Sequence, residues 1–234
     1  RLLGERRDEA TGKLLEREFF SGKRPLEALW SLGYGRPLAD RLALRALSHP
    51  DEQVRRWAVR LVCDRRQVSG ALVDRLVELG AGEKALEVRS QLASSARRLA
   101  AVDCLRLVEA LSIHDEDSGD VHIPLLLWWA IESKLEANQG DVVALFAKAA
   151  LWKRRLVAEH LASRVIRRFA VMETEAGWAA CVRLFELAPG REDSKRLVAG
   201  FEKAFAGRTL PKLPRALVAA LLDGGGASVE LRLR

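Results

Sequence analysis

The chain has 234 residues, of which 49% are hydrophobic and 30% are charged, a balance that excludes an intrinsically disordered protein. Its longest apolar run, at 123–131, is about half of the roughly 18–20 residues that a membrane-spanning helix needs. The net charge of +7, from 39 Lys and Arg against 32 Asp and Glu, favours acidic partners without identifying them.

Apolar residues recur with helical periodicity along almost the whole chain, and Gly, Pro and Asp interrupt the pattern at short intervals. The pattern predicts helices at about 10–20, 25–33, 37–48, 51–65, 69–80, 84–99, 101–112, 121–138, 141–151, 153–171, 174–187, 191–206 and 214–223. The short connections favour antiparallel neighbours. The tail at 224–234 begins with three glycines and then alternates apolar and charged residues from Val229, which predicts a strand at the start of a following segment.

Two of these helices repeat one another. HPDEQVRRWAVRLV at 49–62 aligns with the region of KALEVRSQLASSARRL at 84–99, placing Val54 on Val88 and Arg55 on Arg89, which is a period of 34 residues. A more divergent copy at 120–136 places Trp129 on Trp57. A helical repeat of this length is typical of an α-solenoid, whose units bury their apolar faces by stacking. We therefore expect an all-α fold, a right-handed ARM/HEAT-like superhelix of about six hairpins, forming a single domain over 1–223.

The first copy of the repeat shows how its residues act. Pro50 ends the preceding helix, and Asp51 is placed to cap the next one through its side-chain oxygen. Arg55 is expected to point away from the core and to pair with a carboxylate of an adjacent repeat. Three carboxylates are candidates for that pairing: Asp51, Asp74 and Glu87.

Few residue patterns predict catalysis or metal binding. The acidic segment at 114–122 has His and Asp residues that could ligate a cation, but it lacks the twelve-residue calcium-loop pattern. We interpret it as an exposed loop, with a metal site as the alternative. The three cysteines are expected to be buried free thiols, and the six tryptophans to pack within the core or between repeats.

Basic residues concentrate on the second helices of the proposed hairpins, which together carry more positive charge than the whole chain. In a HEAT array these helices line the concave side, where a basic strip binds phosphates or an acidic protein face. The alternative is that the arginines bridge neighbouring repeats. The candidate binding surface consists of Arg56, Arg60, Arg89, Arg97, Arg98, Arg164, Arg167 and Arg168.

The amino-acid sequences of the repeats resemble those of one protein family. PLEALWSLG, ALSHPDEQVRRWAVRLVCD, EVRSQLASSARRL and DVHIPLLLWWAIE are similar to the HEAT-repeat region of the PVC-type, haem-binding, membrane-bound dehydrogenases, over roughly 26–190. Members of that family carry a propeller dehydrogenase-like domain, then HEAT repeats, then a cytochrome c-like segment with CxxCH.

The resemblance implies that this chain is a non-catalytic module of a larger, exported redox protein, periplasmic or membrane-associated. Its partners would be other domains of the same parent chain or an acidic protein, and this segment would not insert into a membrane. Because residues 1–234 contain neither the propeller nor a CxxCH, neither dehydrogenase activity nor haem binding is expected of this segment. No other cofactor, metal or catalytic residue is expected in it either.

A second resemblance keeps a nucleic-acid function open. Alkylpurine DNA glycosylases built of HEAT-like repeats are similar in length and carry a Trp-Trp pair on a helix beside a catalytic Asp. Here Ala130 follows Trp128 and Trp129, and the nearest carboxylate is Glu132, so the acid is not in the position that the family leads us to expect.

Overall fold

A computed structural model describes residues 8–34, 37–65 and 67–224, and within these ranges the chain is entirely helical, with no β-strand. The all-α prediction is therefore confirmed. The Cα packing divides the chain into two compact units, Arg1–Leu111 and Ser112–Arg234. Each unit is described by itself. The predicted tail strand at 224–234 lies outside the described residues except for Gly224, which is in a turn.

The first unit contains seven α-helices in its described part. They are α1 (Glu9–Ser21), α2 (Pro25–Gly33), α3 (Asp40–Leu47), α4 (Glu52–Cys63), α5 (Gly70–Gly82), α6 (Leu86–Ala96) and α7 (Ala101–Leu111). Alternate helices stack on one another: α4 packs against both α2 and α6, while α5 packs against both α3 and α7. The helices of this unit thus form two parallel rows.

The aligned repeats of the first unit bury equivalent residues. α6 begins 34 residues after α4, which is the period expected from the sequence. Six aligned side chains are fully inaccessible to solvent: Val54, Ala58 and Val62 of α4, and Val88, Leu92 and Ala96 of α6. Because each helix buries the same stripe, α4 and α6 can pack side by side with their remaining faces outward.

The second unit contains seven further α-helices and two short irregular helices. They are a 3₁₀ helix (Asp115–Gly119), α8 (Ile123–Leu135), α9 (Gln139–Leu145), α10 (Ala149–Trp152), a π-helical turn (Val157–Leu161), α11 (Ala162–Val171), α12 (Glu175–Leu187), α13 (Arg191–Ala204) and α14 (Arg215–Asp223). Here too alternate helices stack, since α11 packs against α8 and α13, and α12 packs against α9 and α14.

The closest helix approach of the second unit lies between α11 and α13. A Cβ atom at Gly200 would lie 2.4 Å from the backbone oxygen of Ser163 and 2.8 Å from Cγ2 of Ile166. Only glycine fits there without displacing backbone. The crossing lets Phe169 of α11 and Phe201 of α13 become fully buried.

Helix starts follow the capping rules that the sequence suggests. Asp51 accepts a hydrogen bond of 2.7 Å from the Gln53 backbone N–H, which confirms its predicted role. Asp8 and Thr174 cap α1 and α12 in the same manner, at 2.8 and 3.1 Å. Pro124 lies in the first turn of α8, where a missing backbone N–H leaves no intrahelical bond unmade.

Three sequence expectations can be compared directly with the structure. The three cysteines are buried and free, as predicted. The single helix expected at 141–151 is two short helices, α9 and α10. The acidic segment at 114–122 is not simply an exposed loop, because it forms a 3₁₀ helix in which Asp117 and Ser118 are buried. Every described helix is too short or too polar to cross a lipid bilayer.

Candidate functional site

The structure gives Arg55 a buried partner that the sequence analysis did not name. Nε and Nη2 of its guanidinium donate to the two carboxylate oxygens of Glu83 at 2.8 and 2.7 Å. The side chains of Arg55 and Glu83 are only 16% and 3% exposed. The predicted pairing with a neighbouring repeat is therefore present, but its acid is Glu83 and none of Asp51, Asp74 or Glu87.

The Glu83 carboxylate is stabilised in its charged form. Burial raises the pKa of Glu83, but hydrogen bonds from Arg55 and from the Ala85 backbone N–H outweigh burial, so its pKa lies below the usual 4.5. The connection between α5 and α6 is thus fixed to α4 through an ion pair that excludes most water.

Arg89 lies in the interior and not on the surface where the sequence analysis placed it. It is 5% exposed, and its Nη1 donates to the backbone oxygens of Glu83 at 3.1 Å and Lys84 at 2.9 Å. Arg55 makes the equivalent bonds 34 residues earlier, to the oxygens of His49 and Pro50 at 2.9 and 2.8 Å. The repeated arginine therefore stabilises the connection that precedes its own helix.

Four of the predicted arginines lie on or near the surface of the first unit, and most have acidic neighbours. Arg56 lies 3.5 Å from Glu87, while Arg60 and Arg98 lie 3.9 and 3.3 Å from different oxygens of Asp64. Arg97 is exposed and has interaction partners of its own. These ion pairs are largely solvent-exposed and therefore weak.

Tryptophans accompany these arginines. Trp30 is 42% exposed and meets Trp57 edge-to-face with ring centroids 5.2 Å apart, and the Arg60 guanidinium lies 5.3 Å from the Trp57 ring centre. Trp129 of the second unit is 44% exposed. The expected packing in the core or between repeats is present for Trp152 and Trp178, which are buried, and for Trp30 and Trp57, which contact each other between α2 and α4.

The remaining three predicted arginines meet around one pocket in the second unit, which we call the α8–α11 pocket. It has a volume of about 310 Å³. It is lined by Trp128 and Glu132 of α8 and by Arg164, Arg167, Arg168 and Val171 of α11. These residues share a pocket because each helix presents them at intervals of three or four, which places them on one face.

Local structure positions the arginines of this pocket. The chain widens into a π-helical turn at Val157–Leu161, immediately before α11. Nη1 of Arg164 donates to the His160 backbone oxygen in that turn at 3.0 Å, and this bond restrains the position of the guanidinium group. Such π-helical turns are frequent at functional sites.

The acidic 3₁₀ helix supports the same turn. Asp115 accepts a hydrogen bond of 2.8 Å from the Arg155 backbone N–H, where the helical segment before the π turn begins. The Ser118 hydroxyl donates to Glu159, and Nε2 of His160 lies 2.9 Å from the Ser118 backbone oxygen. Hydrogen bonds from Ser118 and Arg155 hold the pKa of Glu159 below its usual value. The acidic segment thus anchors the helix that carries the arginines.

Ser118, Glu159 and His160 form one hydrogen-bond network. The Ser118 hydroxyl donates to Glu159. Nε2 of His160 lies 2.9 Å from the Ser118 backbone oxygen and 3.1 Å from the Ser118 hydroxyl oxygen, and a protonated Nε2 donates to the carbonyl, which can only accept. Among the described residues, no group of three His, Cys, Asp or Glu side chains is arranged to hold a metal ion.

The pocket retains positive charge. Arg168 and Glu132 are 3.9 Å apart and about one-third exposed, which makes theirs a weak ion pair. Arg167 is exposed and makes no ion pair with any residue that the structure describes. Three guanidinium groups thus face one carboxylate, beside the partly exposed indole of Trp128. This arrangement can bind an anion that carries an apolar group.

Sequence reasoning found the arginines of the pocket but not its other wall. Trp128 and Glu132 stand four residues apart on α8, a spacing that places them on one helix face. This spacing is the sequence signal from which the α8 wall of the pocket could have been predicted. The chain matches no protein-family model, no curated protein and no solved structure.

Proposed function

We propose that this chain is an α-solenoid of about six HEAT-like hairpins that serves as a non-catalytic interaction scaffold in a larger, exported redox protein. The alternate stacking of helices in both units supports the solenoid, because each helix then buries one stripe against its row and leaves another outward. The observation that carries the interaction role is the gathering of Arg164, Arg167 and Arg168 beside Trp128. Arginine and tryptophan are the residues most enriched at protein interfaces.

The sequence of the whole gene product tests the redox assignment. We expect a propeller-forming segment before these repeats and a CxxCH haem-attachment motif after them. The purified product would then show the absorption spectrum of a c-type haem. A stand-alone reading frame whose product holds no haem would contradict the assignment.

Cross-linking of the intact gene product tests the scaffold role. Lys84 and Lys153 are exposed and lie close in sequence to the basic helices of the first and second unit. A zero-length carbodiimide, which couples lysine amines to carboxylates, should link them to acidic residues of another domain. Links confined to residues 1–234 would argue against an interaction scaffold.

A second candidate function is favoured by one observation: the α8–α11 pocket places Glu132 and Trp128 together with three arginines. A HEAT-like DNA glycosylase needs a carboxylate and an aromatic side chain near a basic surface, although Glu132 is not at the position of the family's Asp. This function predicts a salt-dependent shift of labelled DNA and release of an alkylated purine, lost in Glu132→Gln. No DNA binding at low salt would exclude it.

A further inference from the structure

We propose that the α8–α11 pocket binds a short segment of the partner in which an acidic side chain stands next to an aromatic one. The proposal rests on the interaction role above and names the chemistry that this role would recognise.

The charge of the pocket selects a carboxylate. The Arg164 guanidinium donates to the His160 backbone oxygen at 3.0 Å, and the Arg168 guanidinium lies 3.9 Å from the Glu132 carboxylate. Each of these two groups retains further N–H donors. Arg167 is exposed at the rim. Guanidinium groups bind carboxylates through paired, charge-assisted hydrogen bonds, which are stronger than bonds between neutral groups.

The apolar wall of the pocket selects a ring beside that carboxylate. Trp128 offers part of its indole surface, and Val171, which is 39% exposed, belongs to the same lining. An aromatic side chain packed against this apolar lining would bury surface that water now covers. The volume of about 310 Å³ is at the lower end of the range for ligand pockets, which suits one or two side chains.

The surroundings of the pocket favour a discrete anion over a polynucleotide. A nucleic acid needs a succession of cations along its phosphates. Outside the pocket, five cations of the second unit have a carboxylate within 2.6–3.0 Å. They are Arg155 with Glu159, Arg183 with Glu186, Lys195 with Glu192, Arg196 with Asp193, and Arg208 with Glu173. Over residues 112–224 outside the pocket, 13 Lys and Arg are balanced by 14 Asp and Glu, so the excess positive charge of this unit lies at the pocket.

The test measures binding of four fluorescein-labelled probes to the full chain by anisotropy at about 50 and 150 mM salt. The probes are the peptides Gly-Asp-Phe-Asp-Gly, Gly-Asn-Phe-Asn-Gly and Gly-Asp-Ala-Asp-Gly, and an eight-residue oligothymidylate. We expect the Asp-Phe-Asp peptide to bind at least about tenfold more tightly than either other peptide, and more tightly than the oligonucleotide. This comparison uses the unmodified protein, so it does not depend on the folding of a variant.

Two double variants then locate the site. Arg164→Gln with Arg167→Gln should weaken binding of the Asp-Phe-Asp peptide at least about tenfold. The control, Arg183→Gln with Arg196→Gln, removes the same charge from paired surface cations of the same unit and should change affinity less than about twofold. Thermal unfolding followed by circular dichroism verifies that both variants fold.

Four other results of these two measurements would overturn the proposal. Equal weakening by both double variants would show a general charge effect, and tighter binding of the oligonucleotide would assign the pocket to nucleic acid. Equal binding of the three peptides, or none at millimolar concentration, would show that the pocket has no such specificity. Cross-links to an acidic domain without peptide binding would leave the scaffold role standing. Peptide binding by a stand-alone reading frame product would support the pocket and contradict the redox assignment.

Discussion

At the residue scale, Arg55 and Arg89 explain why the sequence repeats. Both guanidinium groups donate to two consecutive backbone carbonyls in the connection before their own helix, and the accepting residues are also 34 apart. The bond to the Glu83 oxygen is buried, whereas the bond to the Pro50 oxygen is exposed, so the cost of about 1–3 kcal/mol for a buried carbonyl without a donor applies to the Arg89 copy. The repeated arginine therefore donates to the same two backbone carbonyls in each copy. Because these bonds hold Arg89 in the interior, it is not part of the predicted binding surface.

The Arg55–Glu83 pair should dominate the electrostatic stability of the first unit. Glu83→Gln leaves a buried guanidinium without its counter-ion, which costs about 3–5 kcal/mol in comparable pairs. The matched control is Asp74→Asn, which breaks the exposed pair with Arg106 and should cost no more than about 1 kcal/mol. Urea denaturation at pH 7 measures both. Equal losses would show that burial does not distinguish these pairs.

The same residue predicts a pH dependence. Because the folded pKa of Glu83 lies below 4.5, its stabilising contribution is complete well above pH 4.5. That contribution is lost as the pH falls below about 4.5 and through the folded pKa. The Glu83→Gln variant has no such proton to bind, so its unfolding free energy should fall less than that of the unmodified chain between pH 6 and 3. Parallel pH profiles of the two proteins would contradict this prediction.

At the element scale, the crossing of α11 and α13 depends on the absence of a side chain at one position. Gly200 brings the α13 backbone within contact of Ser163, and this approach buries Phe169 and Phe201 completely. The side chains that follow Ser163 on α11 include the three arginines of the α8–α11 pocket. The packing of α13 thus fixes the helix that carries four of the six lining residues of the pocket.

Gly200→Ala should therefore destabilise the protein by about 1–3 kcal/mol, since the new Cβ would have to displace backbone. Gly140→Ala is the control, because a Cβ at this α9 position would meet nothing within 4 Å and alanine favours a helix. Its effect should lie between neutral and about 1 kcal/mol of stabilisation. Thermal unfolding measures both. Equal effects would show that the helix crossing does not require glycine at position 200.

At the scale of the whole molecule, the two units each possess a core that contains a buried thiol. Burial raises the pKa of Cys63 in the first unit, and likewise of Cys181 in the second, to about 12. Thiols react as thiolates, so both should react with Ellman's reagent at pH 8 only after their unit opens. Native labelling should therefore be slow, and denaturant should release the reactivity of all three cysteines.

The thiols also report on each unit separately. Gly200→Ala strains the core of the second unit, so it should accelerate labelling of Cys181 more than labelling of Cys63. Mass spectrometry of the labelled peptides distinguishes the two sites. Equal acceleration would show that both units open in one cooperative step.

Much of the helical structure could be predicted because its determinants are local. Helix starts depend on residues within a turn, as at the Asp51 cap and at Pro124 in the first turn of α8. The buried stripe from Val54 to Val62 and the period between α4 and α6 likewise follow from residues within a few turns. The division at 146–148, which separates α9 from α10, was missed. There the Trp152 indole donates to the Phe146 backbone oxygen at 2.8 Å, a contact that helical periodicity does not encode.

The candidate site could be predicted only in part. The arginines were visible as charge, and Arg164, Arg167 and Arg168 do share a pocket. Their apolar neighbour Trp128 lies on a helix about forty residues earlier, and the acidic segment that supports the π-helical turn is equally distant. Periodicity orders residues around one helix but does not say which face of another helix they meet.

The sequence by itself determined the all-α class, most helix boundaries and the 34-residue register, because hydrogen bonding and apolar spacing within a helix act over a few residues. Tertiary structure alone decided that Glu83 pairs with Arg55, that Arg89 is buried, and that three arginines line the same pocket as Trp128. Those outcomes depend on which helix faces pack together. The free energy of burying a charge or a ring depends on all the groups that surround it.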